Sequence, residues 1–220
     1  MSRSMSRVPV RPRPPSSLEL ATSPDQDLAD EATYRRLGFE EIDLSGQEGE
    51  AVEFEQCRFR RATLAGARLD SAGLTDCRIE HCDWANLRTD KAAWVRVEAA
   101  DSRFTGVHWV NGSLTDVSFT ECRMDLATLR FATLRHVAFV RCNLVRADFT
   151  NADLRGVRFT DCDLSGAQFA QANTEGTIFS GCDLSGLGSV TSLRGATIAG
   201  ADLGTLARTL AAALGITIAD

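Results

Sequence analysis

The apolar residues of this chain recur every five positions, a spacing that neither regular element explains. Taking every fifth residue from Phe39 to Leu184, Leu, Phe, Ile, Met or Trp occupies 26 of 30 sites; the exceptions are Gly49, Thr89, Ala99 and Thr174. Ten of the eleven phenylalanines fall in this register, and Phe131 is the exception. Two residues before each large site sits a small one. Ala, Val or Cys fills 23 of those 30 positions, and all seven cysteines are among them. A helix buries residues every 3.6 positions and a half-buried strand every second one. A five-residue unit with two inward positions instead predicts a short extended piece followed by a turn, because side chains two apart share a face. The residues between, such as Asn151, Asp161, Ser165 and Gly166, carry the chemistry of turns. Stacked units of this kind form a solenoid with an internal ladder of apolar side chains, so the expected class is an all-β solenoid.

The ends depart from the pattern. Residues 1–32 are first basic and proline-rich, with Pro9, Pro12, Pro14 and Pro15 within seven positions, and then polar and acidic. That composition predicts a disordered tail. The repeat body is expected over residues 33–203, beginning with a short capping turn. Between 87 and 103 the large site is weak twice, at Thr89 and Ala99, but the five-residue phase survives through Trp94 and Phe104, which predicts a bulge. After Leu184 the phase slips by one, to Leu193, Ile198 and Leu203. Residues 204–220 then switch period. Leu206, Leu210 and Leu214 make a helical stripe. Asp202 or Thr205 is the expected N-cap and Gly215 the C′ residue, with "ITI" as a closing strand.

Composition narrows the function. The chain has 220 residues and a net charge of −6, but the excess of acid lies between residues 25 and 55, where eleven acids face two arginines, and the body is close to neutral. No run of apolar residues is long enough to span a membrane, and the basic N-terminus has no apolar core of the kind a secretory signal needs. A cytoplasmic protein is expected. Seven cysteines without a CxxC pair do not read as a secreted disulfide framework. The columns of cysteine that recur after 20 residues are better explained as small buried hydrophobes than as a redox or metal site. His81, His108 and His136 fall at outward registers and pair with no cysteine at ligand spacing. No nucleophile elbow, P-loop or dinucleotide fingerprint is present. The expectation is therefore no catalytic residue, no metal and no cofactor.

"ADFTNADLRGVRF" and "CDLSGAQF" resemble the A(D/N)LXX signature of the pentapeptide repeat proteins, over residues 37 to 203. The resemblance implies a right-handed quadrilateral β-helix in which four pentapeptides make one square coil. Thirty units would then give about 7.5 coils, a rod on the order of 36 Å long at the inter-strand spacing. The tail, "DLSGLGSVTSLRGATIAG" followed by "LARTLAAALGITI", is similar to that of the quinolone-resistance pentapeptide proteins that protect DNA gyrase. The matching residues are Leu193, Gly195, Ile198, Leu206, Leu210, Leu214, Gly215, Ile216 and Ile218. In that group the tail is a dimerisation module, which implies a homodimer through Leu206, Leu210, Leu214, Ile216 and Ile218.

The same resemblance implies a rod that imitates duplex DNA for a gyrase-type topoisomerase, without nucleic-acid binding by the repeat body and without a membrane. That role needs an anionic stripe, because the partner's surface neutralises phosphates. Asp163 and Asp183 share a column, and Asp148 and Asp153 lie on adjacent faces. Arg103 and Arg123 interrupt the first column, and Arg58, Arg78 and Arg158 populate another. Leu126 and Phe131 are apolar at outward positions and form a candidate contact patch. A protein-binding scaffold with some other target is the alternative.

Overall fold

The computed structural model describes residues 8–22 and 27–217. The chain winds into a β-solenoid of about 9 turns followed by one short helix, Leu203–Ala213. Each pentapeptide turns one corner. Every fifth residue from Glu31 to Gly186 has a positive φ, between 50° and 73°. Residues 20 apart therefore return to the same side of the coil and pair in parallel: Ala93 with Ser113, Val117 with Val137, Phe139 with Phe159. The corner N–H groups join the ladder too, as when Gln56 donates to the carbonyl of Thr75 at 2.8 Å and Leu126 to that of Val145 at 2.9 Å. A non-glycine residue in this left-handed region costs roughly 1–2 kcal/mol. Such corners persist because hydrogen bonds to neighbouring turns over-determine them.

The two inward registers fill the rod completely. Phe119, Phe139, Phe159 and Phe179 form one column whose successive ring centroids lie 5.1, 5.0 and 5.0 Å apart and within 6° of parallel. Such offset stacks add to the burial energy of the rings. A second column runs Cys122, Cys142, Cys162, Cys182, all buried and all free thiols. Its end is closed by Asp202, whose Oδ2 accepts the Cys182 N–H at 3.1 Å. Ser102 plays the same part for the Cys82 N–H, at 3.0 Å. Asp202 is thus tied to the rod, and it stands at the expected N-cap position of the helix without a side-chain capping bond. The side chain of Thr205 lies outside the described residues.

No bulge forms between 87 and 103. Ala93–Ala100 is one eight-residue strand in unbroken register with its neighbours on both sides. The missing bulk is supplied by three buried tryptophans. Trp94 lies 4.2 Å from Trp109 and reaches the ring of Phe119, which stands above Ala99 in its column, at 6.2 Å. Thr89 satisfies its hydroxyl by donating to the Leu69 carbonyl at 3.0 Å. Volume is therefore conserved across columns rather than within each one.

The solenoid is longer than 7.5 coils because both ends continue the winding. Upstream, Thr33–Arg35 pairs with Glu53–Glu55, and Glu19–Leu20 pairs with Leu37 and Gly38. Leu28 is buried, with its N–H bonded to Gln47 Oε1 at 2.9 Å. The expected disordered tail is therefore ordered over residues 8–22 and 27–32, because its polar backbone finds partners on the first turns. The remainder of that tail, residues 1–7 and 23–26, lies outside the described residues. Downstream, a 3-10 turn at Val190–Leu193 shortens one circuit by a residue, so that Ile178 pairs with Thr197 and Phe179 with Ile198. This is the structural counterpart of the one-residue slip in the sequence. The helix then ends in a Schellman arrangement: Ile216 N–H to Ala211 O at 2.8 Å and Gly215 N–H to Ala212 O at 3.1 Å, with Gly215 at φ +69°. Residues 216 and 217 are not in a strand, and the rest of the expected closing strand, with Ile218, lies outside the described residues.

Candidate interaction surfaces

With the interior solid, chemistry is left to the outer faces, and each face is a set of columns with one residue per turn. The column of Asp163 and Asp183 begins at Asp43 and passes through Thr63, Asp83, Arg103, Arg123 and Asn143. Its sign therefore changes along the rod. Arg103 contacts Asp83 at 3.3 Å. Among the described residues no ion pair involves Asp163 or Asp183. Each accepts the N–H of the serine two residues on, Ser165 and Ser185, at 2.9 Å. The turn bond fixes one carboxylate oxygen and leaves the other available to solvent or a partner.

The other two candidate acids are neutralised in place. Arg155 donates to both oxygens of Asp153, at 2.9 and 2.6 Å, and holds its carboxyl below the usual range. Arg130 approaches Asp148 at 3.8 Å. Similar pairs join Arg58 to Glu80, Arg141 to Glu121 and Arg35 to Glu55. Exposed pairs of this kind contribute little to stability, but they decide the field a partner meets. The surface is a patchwork: among the described residues Asp163 and Asp183 lack a basic partner at one end of the rod, and Asp30, Asp43, Glu48 and Glu50 stand near the other.

Leu126 and Phe131 are 54% and 49% exposed and occupy consecutive corners with φ of 60° and 58°. They flank one face of one turn, with Arg130 between them and its guanidinium 5.7 Å from the Phe131 ring centre. Large apolar side chains in the left-handed region and in solvent serve neither backbone nor core. At the C-terminal end, Leu206 is buried against the rod and plugs its last turn. Leu210, Leu214 and Ile216 are exposed, together with Leu203, the last site of the slipped repeat. A helix that leaves this many leucines in water has an unpartnered apolar edge.

The cysteine column is chemically quiet. Hydrogen bonding from the neighbouring Cys122 thiol and burial push Cys142 up to about 12, and Cys142 with burial does the same to Cys162. Burial, with the nearby Glu80 carboxylate adding to it, raises Cys82 to about 11. The Cys142 Sγ lies against the carbonyls of Phe119 and Val140, and that of Cys162 against those of Phe139 and Thr160, at 3.3 to 3.5 Å. Thiolates are the nucleophiles and metal ligands, and this column disfavours them. Among the described residues no three side chains of metal-ligating type converge, and no helix is long and apolar enough to cross a membrane. His108 and His136 each face a carboxylate, Asp90 at 2.9 Å and Asp116 at 3.3 Å.

A square-cornered β-helix with a solid apolar core and a five-residue repeat defines a solenoid of the pentapeptide type. The family descriptions "Pentapeptide repeat region" and "Pentapeptide repeats (8 copies)" match residues 112–188 and 50–83, together about half of the sequence. The chain belongs to the pentapeptide repeat family. Among solved structures it is similar to a trypsin-treated variant of QnrB1, a plasmid-mediated fluoroquinolone resistance protein. The identity is 20% over 89% of this chain and 92% of that one, with a TM-score of 0.36. HetL, a pentapeptide repeat protein involved in heterocyst differentiation regulation from the cyanobacterium Nostoc, is 19% identical over 76% of this chain and 89% of its own, with a TM-score of 0.30. No curated protein matches the chain.

Proposed function

We propose that this protein is a non-enzymatic interaction rod, and that its most concrete target is a gyrase-type topoisomerase, which it engages in place of duplex DNA. The observation that carries the reading is the pair Asp163 and Asp183, adjacent in one column and without a basic partner among the described residues. They stand at the end of the rod that leads into the leucine-bearing helix. At about 4.8 Å per turn, nine turns make a rod of about 43 Å, and joining two copies through the helices doubles the span. The tail motif shared with the quinolone-resistance proteins supports the same arrangement. Binding there confers resistance to a quinolone, or inhibits the enzyme, according to how the rod competes with DNA.

A second reading is a scaffold for another protein, and a specific observation favours it. Acids along the middle of the rod are paired with arginines, as at Asp83–Arg103, Asp148–Arg130 and Asp153–Arg155. A DNA-binding saddle meets no continuous anionic stripe there. A gyrase supercoiling assay, run with and without a quinolone at micromolar protein, separates the two. Inhibition or protection that is lost on Asp163→Lys with Asp183→Lys supports the topoisomerase reading. No effect of the unaltered protein overturns it and leaves the scaffold.

A further inference from the structure

The N-terminal arm runs along the outside of the rod rather than around it. From Glu19, which pairs below the first turn, residues 18 to 8 climb a corner column made of Gln56, Asp76, Arg96 and Asp116. The Arg13 N–H donates to Asp76 Oδ1 at 2.9 Å, and the Val10 N–H donates to Asp116 Oδ1 at 3.1 Å. Gln56 Nε2 donates to the Arg13 carbonyl at 3.3 Å, and Arg11 approaches Glu98 at 3.6 Å. Between Pro12, Pro14 and Leu18 of the arm and Gln56, Asp76 and Arg78 of the rod a cleft of about 180 Å³ remains.

Two repeats match here. Asp76 and Asp116 are 40 residues apart, two turns of the coil, which is about 9.6 Å along the rod. Val10 and Arg13 are three residues apart, one turn of a polyproline II helix, which is about 9.3 Å. The burial of the arm follows the same count. Pro12 is buried and Pro9 and Pro15 are half-buried, while Val8, Val10, Arg11, Arg13 and Pro14 are exposed. One edge of the arm, with Pro9, Pro12 and Pro15 on it, thus faces the rod at the three-residue period of polyproline II. Prolines on that edge bring apolar surface without an N–H that would need a partner. The N–H donors that follow Pro9 and Pro12 land on two carboxylates that are each largely withdrawn from water, with side chains 9% and 17% exposed.

We propose that the Asp76–Asp116 corner is a peptide-binding groove for proline-rich segments in polyproline II form, with the chain's own residues 8–18 as its displaceable ligand in cis. The two carboxylates act as a ruler. They select a peptide with prolines three apart, each followed by a residue with a free N–H. Arg96, which holds Asp76 through two bonds of 2.6 and 2.7 Å, and His136, which faces Asp116, keep the acceptors in place. The groove is independent of the topoisomerase reading, because it lies on a corner that the Asp163–Asp183 column does not share.

The test disables the ligand without touching the groove. In the full chain, Val10→Pro with Arg13→Pro removes both donors and keeps the arm extended. A fluorescent peptide of residues 8–18 is expected to bind this variant at least tenfold more tightly than the unaltered protein, whose groove is already filled at the high effective concentration of a tethered arm. The same peptide carrying both substitutions is expected to bind neither. Equal binding of the native peptide to both proteins, no binding to either, or equal binding of the two peptides overturns the proposal. Hydrogen exchange on the unaltered protein gives a second reading. The Val10 and Arg13 amides are expected to exchange at least tenfold more slowly than in the free peptide, and unprotected amides overturn the docking itself.

Discussion

The rings of Phe139 and Phe159 stand 5.0 Å apart and 5° from parallel, although 20 residues separate them in the chain. Phe139 also stacks on Phe119 at 5.1 Å and meets the edge of Phe149 at 6.5 Å. It is fully buried in the middle of the column. Truncation removes contacts with two turns at once, and a β-helix held by backbone ladders on four sides has little freedom to collapse into the gap. Phe139→Ala is expected to cost about 3–5 kcal/mol, measured by denaturant unfolding. Phe139→Leu, which keeps most of the volume, is expected to cost less than half as much. Equal losses for both would show that ring stacking, rather than filled volume, holds the column.

The five-residue count was legible because both inward sites are sterically selective. Only a small side chain fits where Cys142 sits, and only a large one where Leu144 sits. The corners were not legible. Arg36, Leu126 and Phe131 are poor formers of the left-handed conformation, and the ladder of neighbouring turns imposes it on them. Ala99 is a gap within its own column, and Trp94 fills the space from another. The arm read as disordered because its composition lacks a hydrophobic face, and its partners, Asp76 and Asp116, are brought within reach only by the winding. The same holds for Asp202, whose partner Cys182 is 20 residues away. Of the candidate sites, Asp163 and Asp183 were placed together by the 20-residue spacing alone. That Arg155 and Arg130 neutralise Asp153 and Asp148 depends on side-chain direction, which spacing does not carry.

The pair Asp76–Arg96 sets a pH window for stability. The Arg96 guanidinium is the main cause holding the Asp76 carboxyl below its ordinary value, with the Arg13 N–H adding to it. A carboxyl depressed by folding stabilises the protein at pH above its unfolded value, about 3.9, and that contribution is lost as pH falls through the lower folded value. Asp76→Asn keeps the shape and tolerates the left-handed corner. It is expected to destabilise by roughly 1–3 kcal/mol at neutral pH. The difference from the unaltered protein stays constant from pH 8 to 5 and shrinks below about 4. A difference that instead grew on acidification would refute the ion-pair account.

The buried thiols of Cys142 and Cys162 are expected to be slow. With Cys142 and Cys162 pushed up to about 12, the thiolate fraction at pH 7 is on the order of one in 10⁵, and thiolate is the reactive form. In native protein a disulfide reagent or iodoacetamide should modify the column no faster than the protein opens, while all seven cysteines react at once in denaturant. Mass measurement counts them. Rapid labelling of Cys142 or Cys162 under native conditions would contradict the packing described above.

Leu126 and Phe131 are at positions where the fold gains nothing from them. Replacing both with Asn, which enters the left-handed region more easily, is expected to leave unfolding free energy unchanged or to raise it by up to about 1 kcal/mol. If these residues serve a partner, the same variant loses binding while its stability holds. A loss of stability above about 1 kcal/mol would assign them to the fold instead.

The C-terminal helix separates plugging from pairing. Leu206 is buried at 5% exposure, whereas Leu214 and Ile216 are 72% and 57% exposed. Leu206 therefore acts within one rod, and the exposed edge of Leu203, Leu210, Leu214 and Ile216 is what a second copy would cover. Each such side chain contributes about 1.5–3 kcal/mol when fully buried, enough in combination to hold two rods end to end. Leu206→Ala is expected to lower the unfolding free energy by about 2–5 kcal/mol without changing mass in light scattering. Leu210→Glu with Leu214→Glu is expected to leave stability near its original value and to convert a dimer into a monomer. If that double variant sediments as the unaltered protein does, the helix edge is not the contact, and the leucines it leaves in water serve some other partner.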